Sequence, residues 1–264
     1  HGLTISIALI GTVFGSLFGG IPAERYGRRK TLLGVAVLYL VSALGSALAP
    51  EWYSFLLFRF LGGLGVGASS VAAPLYIAEI APAQARGRMV ALFQCNIVFG
   101  ILIAYLSNYG LASFGEFSWR WMLGVQVLPS AVYFGLLLNV PESPRWLIRR
   151  RGRIAEARAI LQIIEPTTAG ESILAIQHDA PGTNAPTESL WSGRYRTPIM
   201  LAVLFAVFNQ ISGINAIIYY APRIFEMTGL GASSSLLSTA GLGIVNFAFT
   251  LLAINFIDRF GRRR

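Results

Sequence analysis

The sequence predicts an all-α, polytopic membrane protein, and three observations carry that prediction. Of the 264 residues, 55% are hydrophobic and only 12% are charged, a balance too apolar to clothe a soluble domain of this length. Apolar stretches of membrane-spanning length recur along the whole chain, separated by short polar or basic breaks. Every second break is basic, and the breaks between carry almost no positive charge except Arg120 and Arg223, the alternation expected of loops on two sides of a bilayer.

A helix needs about 20 mostly apolar residues to cross the hydrocarbon core, and seven stretches qualify. The first, 3–21, is followed by Arg25, Arg28, Arg29 and Lys30. The second, 31–49, begins directly after that cluster. The third, 53–77, contains Arg59 and the glycines at 62, 63, 65 and 67, and is followed by Arg86 and Arg88. The glycines suit close helix packing by small residues. The fourth, 89–109, holds the single cysteine, Cys95, which rules out a disulfide framework. The fifth, 120–140, precedes the one long break, which runs from 141 to 197 and carries arginines from Arg145 to Arg196. The sixth, 198–222, and the seventh, 235–257, complete the set, with Arg259 to Arg264 after the last.

The net charge of +9 could suggest a nucleic-acid ligand. Its placement at alternate span ends instead assigns it to topology, with the basic loops cytoplasmic in a cell membrane. No nucleic-acid partner is expected; the bilayer is.

One loop occurs twice. Gly20-Ile-Pro-Ala-Glu24-Arg25-Tyr-Gly27-Arg28-Arg29 is echoed by Asp258-Arg259-Phe-Gly261-Arg262-Arg263, each copy directly after a span. Many secondary transporters are built from repeated halves, and two copies about six spans apart fit that plan. The domains expected are then a first-half bundle over 1–140, a linker over 141–197 and the start of a second-half bundle over 198–264. Within the linker, 153–164 has apolar residues at helical spacing with charges between, which predicts a short amphipathic helix. The stretch 179–187 is turn-rich and reads as a linker without regular structure. The chain opens at His1 without a methionine or signal-peptide pattern and ends directly after a span; both ends read as truncations.

Five motifs in order carry a family resemblance. Arg59-Phe-Leu-Gly-Gly-Leu-Gly-Val-Gly67, Pro74-Leu-Tyr76-Ile-Ala-Glu79-Ile-Ala-Pro82-Ala-Gln-Ala-Arg86-Gly87, Pro141-Glu142-Ser143-Pro144-Arg145-Trp146-Leu147, Asn209-Gln210-Ile-Ser-Gly213-Ile-Asn215 through Tyr219-Tyr220, and the doubled loop resemble the sugar porters of the major facilitator superfamily. The resemblance implies the major facilitator fold, truncated to helices two through eight of twelve. It also implies alternating-access transport of a monosaccharide or related polyol, by proton symport or by facilitated diffusion. Two alternatives stay beside it: a transporter of the same fold for another small organic solute, and a transporter-like sugar sensor.

The residue chemistry agrees. A sugar hydroxyl donates and accepts without charge, and a side-chain amide offers both roles. Gln94, Gln210, Asn215 and Asn246 lie inside apolar spans, where an unpaired polar group is costly. By resemblance they match the sugar-contacting amides, and Asn209 stands where the family's usual pair is Gln-Gln. Each amide also has a plainer role open to it, a hydrogen bond between helices. Ile97 and Ile101, one turn apart and one turn beyond Gln94, can line the same cavity or simply pack. Gly213 offers a break in the sixth span, and Tyr219 and Tyr220 then either close the outer side or form an interfacial belt.

The charged motifs place acids with bases at the basic span ends: Glu24 with Arg25, Arg28 and Arg29; Glu79 with Arg86; Glu142 with Arg145; Asp258 with Arg262. Such pairs can hold the cytoplasmic side shut, and because exposed pairs contribute only about 0–1 kcal/mol each, a network of them suits a gate that reopens. Glu24 replaces the Asp usual in the family. Arg59 is the basic residue expected inside a span, which makes it a functional candidate; in proton-coupled relatives the matching arginine lies near an acid on the first helix, so protons enter only as a candidate partner. A phosphate-binding G-x-x-x-x-G-K-[ST] loop is excluded because Lys30 is the only lysine. Metal-ligand clusters and nucleophile constellations are not found, with His1 and His178 the only histidines. No metal, cofactor or enzymatic activity is expected.

Overall fold

The computed structural model describes residues 2–82, 85–166, 168–178 and 193–260, with side chains except at positions 5, 193–194, 254–255 and 257–260. Regular structure among the described residues is helical throughout. Helices α1 (Gly2–Phe18) and α2 (Gly20–Tyr26) meet at Gly19 with a 43° bend. They are followed by α3 (Arg28–Leu48), α4 (Trp52–Ile80), α5 (Arg86–Leu111), α6 (Ser118–Gly124) and α7 (Val127–Asn139). A short α8 (Pro144–Trp146) runs into a π turn over Leu147–Arg151, then α9 (Ile154–Ile164) and α10 (Ala169–His178). Helices α11 (Gly193–Ile211), α12 (Ile214–Met227) and α13 (Ala232–Phe260) close the described chain.

Six helical stretches are long and apolar enough to cross a membrane, and the bent α1–α2 pair makes a seventh. Each coincides with one of the seven spans expected from sequence. The ends differ for local reasons. The first helix does not stop at 21; it bends at Gly19 and continues to Tyr26, where Gly27, at φ +105°, turns the chain into α3. An ordinary L-residue is strained at that φ. Helix α4 starts on a capping box in which Glu51 and Ser54 each accept from the other's backbone side.

Small residues bring α1 and α4 into backbone contact. Gly11 and Gly15 on α1 and Gly19 at its end recur every four residues; Gly11 faces Gly63 of α4, Gly15 faces Gly67, and Gly19 faces Ala68. A Cβ at Gly67 would collide with the Thr12 carbonyl, and one at Gly63 with that of Ala8. Without a hydrophobic force between helices in lipid, such close van der Waals contact is what holds them. Helix α3 packs between α4 and α7, where Ala23, Leu32, Ala36, Ala72, Tyr76 and Leu137 form one buried cluster. Arg120 on α6 donates to the carbonyls of Ala47 and Ala49, both at 3.0 Å, closing the C-terminus of α3. That local task accounts for a cation on the side otherwise poor in them.

The amphipathic helix expected over 153–164 is α9, and with α10 it closes a second buried cluster of Trp146, Leu147, Ile148, Ala157, Leu161, Ala169, Ile173 and Ile176. The stretch 179–187 lies outside the described residues. Helix α13 packs along α5 and against α12.

Candidate functional site

Two polar constructions stand out, one at the basic span ends and one within the membrane-spanning layer. At the basic ends, Glu79 at the end of α4 accepts from Arg28 Nη2 at 2.8 Å and from the Ser143 hydroxyl. Neither ion-pair side chain is more than about a tenth exposed, 11% for Arg28 and 9% for Glu79. This pair is therefore largely dehydrated, unlike the exposed pairs expected from sequence. Glu142 does not use Arg145. Its Oε1 accepts from the backbone N–H of Arg28 at 2.9 Å, Arg29 at 3.0 Å and Ser143 at 2.9 Å. A carboxylate at a helix N-terminus satisfies orphan donors and meets the positive end of the helix dipole. Gly27 permits the approach, since a Cβ there would collide with Glu142 Oε2.

The remaining partners extend the lock. Arg29 donates from Nε to the Leu137 carbonyl at 3.1 Å. Trp146 Nε1 donates to the Glu24 carbonyl at 2.7 Å, and the Glu24 carboxylate pairs with Arg150 at 2.7 Å, both side chains about 60% exposed. Tyr76 Oη donates to the Pro141 carbonyl at 2.7 Å. Arg25 lies over the Tyr26 ring. All these partners belong to α2, α3, α4, α7 and the segment 141–151. Among the described residues, this network fastens the segment 141–151 to α2, α3, α4 and α7. Arg86 opens α5 with its Nε buried and without a hydrogen bond among the described residues. Arg145 makes no ion pair among them either, while the side chain of Asp258 and all of Arg262 lie outside the described residues.

In the membrane-spanning layer the sixth span is broken where the sequence places its glycine. Helix α11 ends at Ile211, and Gly213 sits in the left-handed region at φ +73° and ψ 4° before α12 begins. The break brings Gln210 and Asn215 together: Asn215 Nδ2 donates to Gln210 Oε1 at 2.7 Å. An uninterrupted helix would set residues five apart on different faces. Asn209 is exposed beside the pair. Gln94 and Ile97 are exposed on α5 and Ile101 is half-buried; Asn246 is half-buried on α13. Helix α13 packs on both α5 and α12, with Phe99 and Phe247 rings 5.5 Å apart between α5 and α13.

Arg59 lines a cavity of about 420 Å3 with Thr12, Tyr39, Ser42, Gln126, Ser130 and Tyr219. Tyr219 alone comes from α12; it and its neighbour Tyr220 are both exposed. Gln126 is an amide inside an apolar span, the same signal that selected Gln94, yet sequence reasoning passed it over. It sits in the break between α6 and α7, where the Ser130 hydroxyl donates to its carbonyl at 2.7 Å. A larger recess of about 820 Å3 lies beside the basic network, lined by Glu24, Arg25, Arg150 and Arg151 among others. Its charged rim matches hydrated groups better than a neutral ring.

Comparison with known proteins places these features. A family model described as sugar (and other) transporter matches residues 1–264. The chain is 37% identical over 288 residues to the D-xylose-proton symporter of Escherichia coli K12, covering 99% of this chain and 58% of that protein. It is likewise 37% identical over 279 residues to the glucose facilitated diffusion protein of Zymomonas mobilis, covering 99% and 58%. Among solved structures, the major facilitator proton:xylose symporter XylE bound to 6-bromo-6-deoxy-D-glucose superposes with a TM-score of 0.86 at 35% identity, covering 99% of this chain and 60% of that one. The chain thus spans under two thirds of the length of the relatives it matches. It has the major facilitator fold, and it belongs to the sugar (and other) transporter family.

Proposed function

We propose that the protein carries a monosaccharide or related polyol across a cell membrane by alternating access, with its basic span ends cytoplasmic. The observation that carries this reading is the amide pair Gln210–Asn215 at the break in the sixth span. Each amide finds one partner in the other, so neither stands wholly unpaired in an apolar layer. A sugar hydroxyl, donor and acceptor at once, can replace their mutual bond at little net cost. Binding that is released in every cycle implies micromolar to millimolar affinity, about 4–8 kcal/mol. The names of the relatives support the substrate class, since they include a xylose symporter and a glucose facilitator.

Sugar contacts are assigned to Gln94, Ile97, Ile101, Asn209, Gln210, Asn215 and Asn246, and outer closure to Tyr219 and Tyr220. The network around Glu79 and Glu142 stiffens the cytoplasmic end of the first half so that it moves as one body with the linker. The positive-inside distribution supports that orientation. An anionic substrate is disfavoured, because Arg59 is the basic residue that lines the cavity within the spans.

The test is uptake of a panel of radiolabelled monosaccharides and polyols by cells expressing the full-length protein, with wild type beside Gln210→Ala and with a protonophore added. Saturable uptake of one sugar, lost in the variant, is the expected result, and sensitivity to the protonophore separates proton symport from facilitated diffusion. Failure of a well-expressed wild type to move any sugar overturns the proposal.

A further inference from the structure

Helix α12 contains Pro222. A proline has no N–H, so the carbonyl four residues before it, Ile218, loses its helical donor. In lipid a freed backbone carbonyl needs another partner. The structure supplies one from a different helix: Tyr105 Oη on α5 donates to the Ile218 carbonyl at 2.7 Å. The tyrosine is held in place from a third side, because Gly243 of α13 leaves room for its ring, where a Cβ would lie 2.9 Å from Tyr105 Cδ2 and 3.2 Å from Leu102 Cδ1. One side chain thus closes the hydrogen-bond account of α12 at the residue next to Tyr219, which lines the Arg59 cavity.

We propose that Tyr105 is a positioning residue of the transport cycle: its hydroxyl latches α5 to the carbonyl that Pro222 frees, and making or breaking this bond sets the angle of the segment bearing Asn215, Tyr219 and Tyr220. The bond is well suited to that task. It joins the two halves, it is neutral, and it ends on a backbone atom whose displacement moves the helix itself. Gly213, one turn before Ile218, gives α12 a joint on which to swing. When the latch opens, the carbonyl can turn toward water entering the widened cavity, and the tyrosine hydroxyl does the same. The place in a cycle rests on the transport reading; the latch itself is a property of these helices.

The experiment uses the full-length protein in nanodiscs, freed of other cysteines by changes such as Cys95→Ser. Spin labels are placed at Gly110→Cys, at the end of α5, and Met227→Cys, at the end of α12. Met227 is 78% exposed, and a Cβ at Gly110 meets nothing within 4 Å. Electron–electron double resonance then reads the ratio of short to long distances. Hydrogen bonds between membrane helices are modest, so Tyr105→Phe is expected to lower that ratio about three-fold, and at most about twenty-fold. Pro222→Ala restores an N–H to the Ile218 carbonyl, so in that background Tyr105→Phe is expected to change the ratio by less than about 1.5-fold, within the scatter typical of additive sites.

A tyrosine that merely fills space would give the same distances with and without its hydroxyl, and that result overturns the latch. So does an effect of Tyr105→Phe of equal size in both backgrounds. Uptake adds a second readout: Tyr105→Phe is expected to change kcat more than KM. A wild type that transports nothing refutes the transport reading, while the distance measurement still decides the latch.

Discussion

The α1–α4 seam and the α5–α12–α13 junction are both helix packings in an apolar layer, yet they are built from different contacts. In the seam, Gly11, Gly15, Gly63 and Gly67 put backbone against backbone, and a single added methyl has nowhere to go. In the junction, contact is made through side chains: Phe99 on Phe247, Tyr105 on the Ile218 carbonyl, and Gly243 under the Tyr105 ring. Interlocked backbones leave no room for added volume, whereas a junction of rings and single hydrogen bonds can be broken one contact at a time. The difference separates a seam limited by volume from a junction that depends on individual contacts.

The largest effect that separates them comes from overfilling the seam. Gly67→Leu should cost about 3 kcal/mol or prevent folding. Gly100→Ala on α5, where a Cβ meets nothing within 4 Å, should leave stability unchanged or raise it by at most about 1 kcal/mol. Thermal unfolding in detergent reads both, and equal losses would erase the contrast. Next is Glu79→Gln, which leaves the Arg28 guanidinium largely buried without its charge partner. A loss of about 3 kcal/mol is expected, with the double change Arg28→Gln, Glu79→Gln recovering part of it. At the joint, Gly213→Ala places a Cβ at φ +73° and should cost about 1–2 kcal/mol, read as a lower unfolding temperature together with slower uptake. Smallest of all is Glu24→Gln. It breaks a pair whose side chains are about 60% exposed, so its effect should stay under about 1 kcal/mol and fade further with added salt.

Spans, linker helix and helix break were legible in the sequence because each depends on local pattern: apolar run length, 3.6-residue periodicity, a glycine between Ser212 and Ile214. What escaped were partners lying on the backbone of another element. Glu142 reads as the mate of Arg145, but it caps α3 through the N–H groups of Arg28 and Arg29 and accepts a third from Ser143, and no residue type advertises a free N–H. The Ile218 carbonyl is likewise silent, although Pro222 four residues on was the available clue. On α1, Gly11 and Gly15 repeat on one face, a visible pattern whose match with Gly63 and Gly67 becomes meaningful only once the two helices are known to touch. Gln126 was a different kind of miss, an intramembrane amide that met the criterion already applied to Gln94.

If α11 and α12 carry the sugar contacts proposed above, they respond to sugar while the α1–α4 seam holds its shape. Hydrogen exchange followed by mass spectrometry on the reconstituted full-length protein, with and without the sugar selected by uptake, tests it directly. Slowed exchange over 209–227 with no change across α1 and α4 is the predicted result. A sugar-dependent change centred on the α1–α4 seam, with 209–227 unmoved, would contradict it.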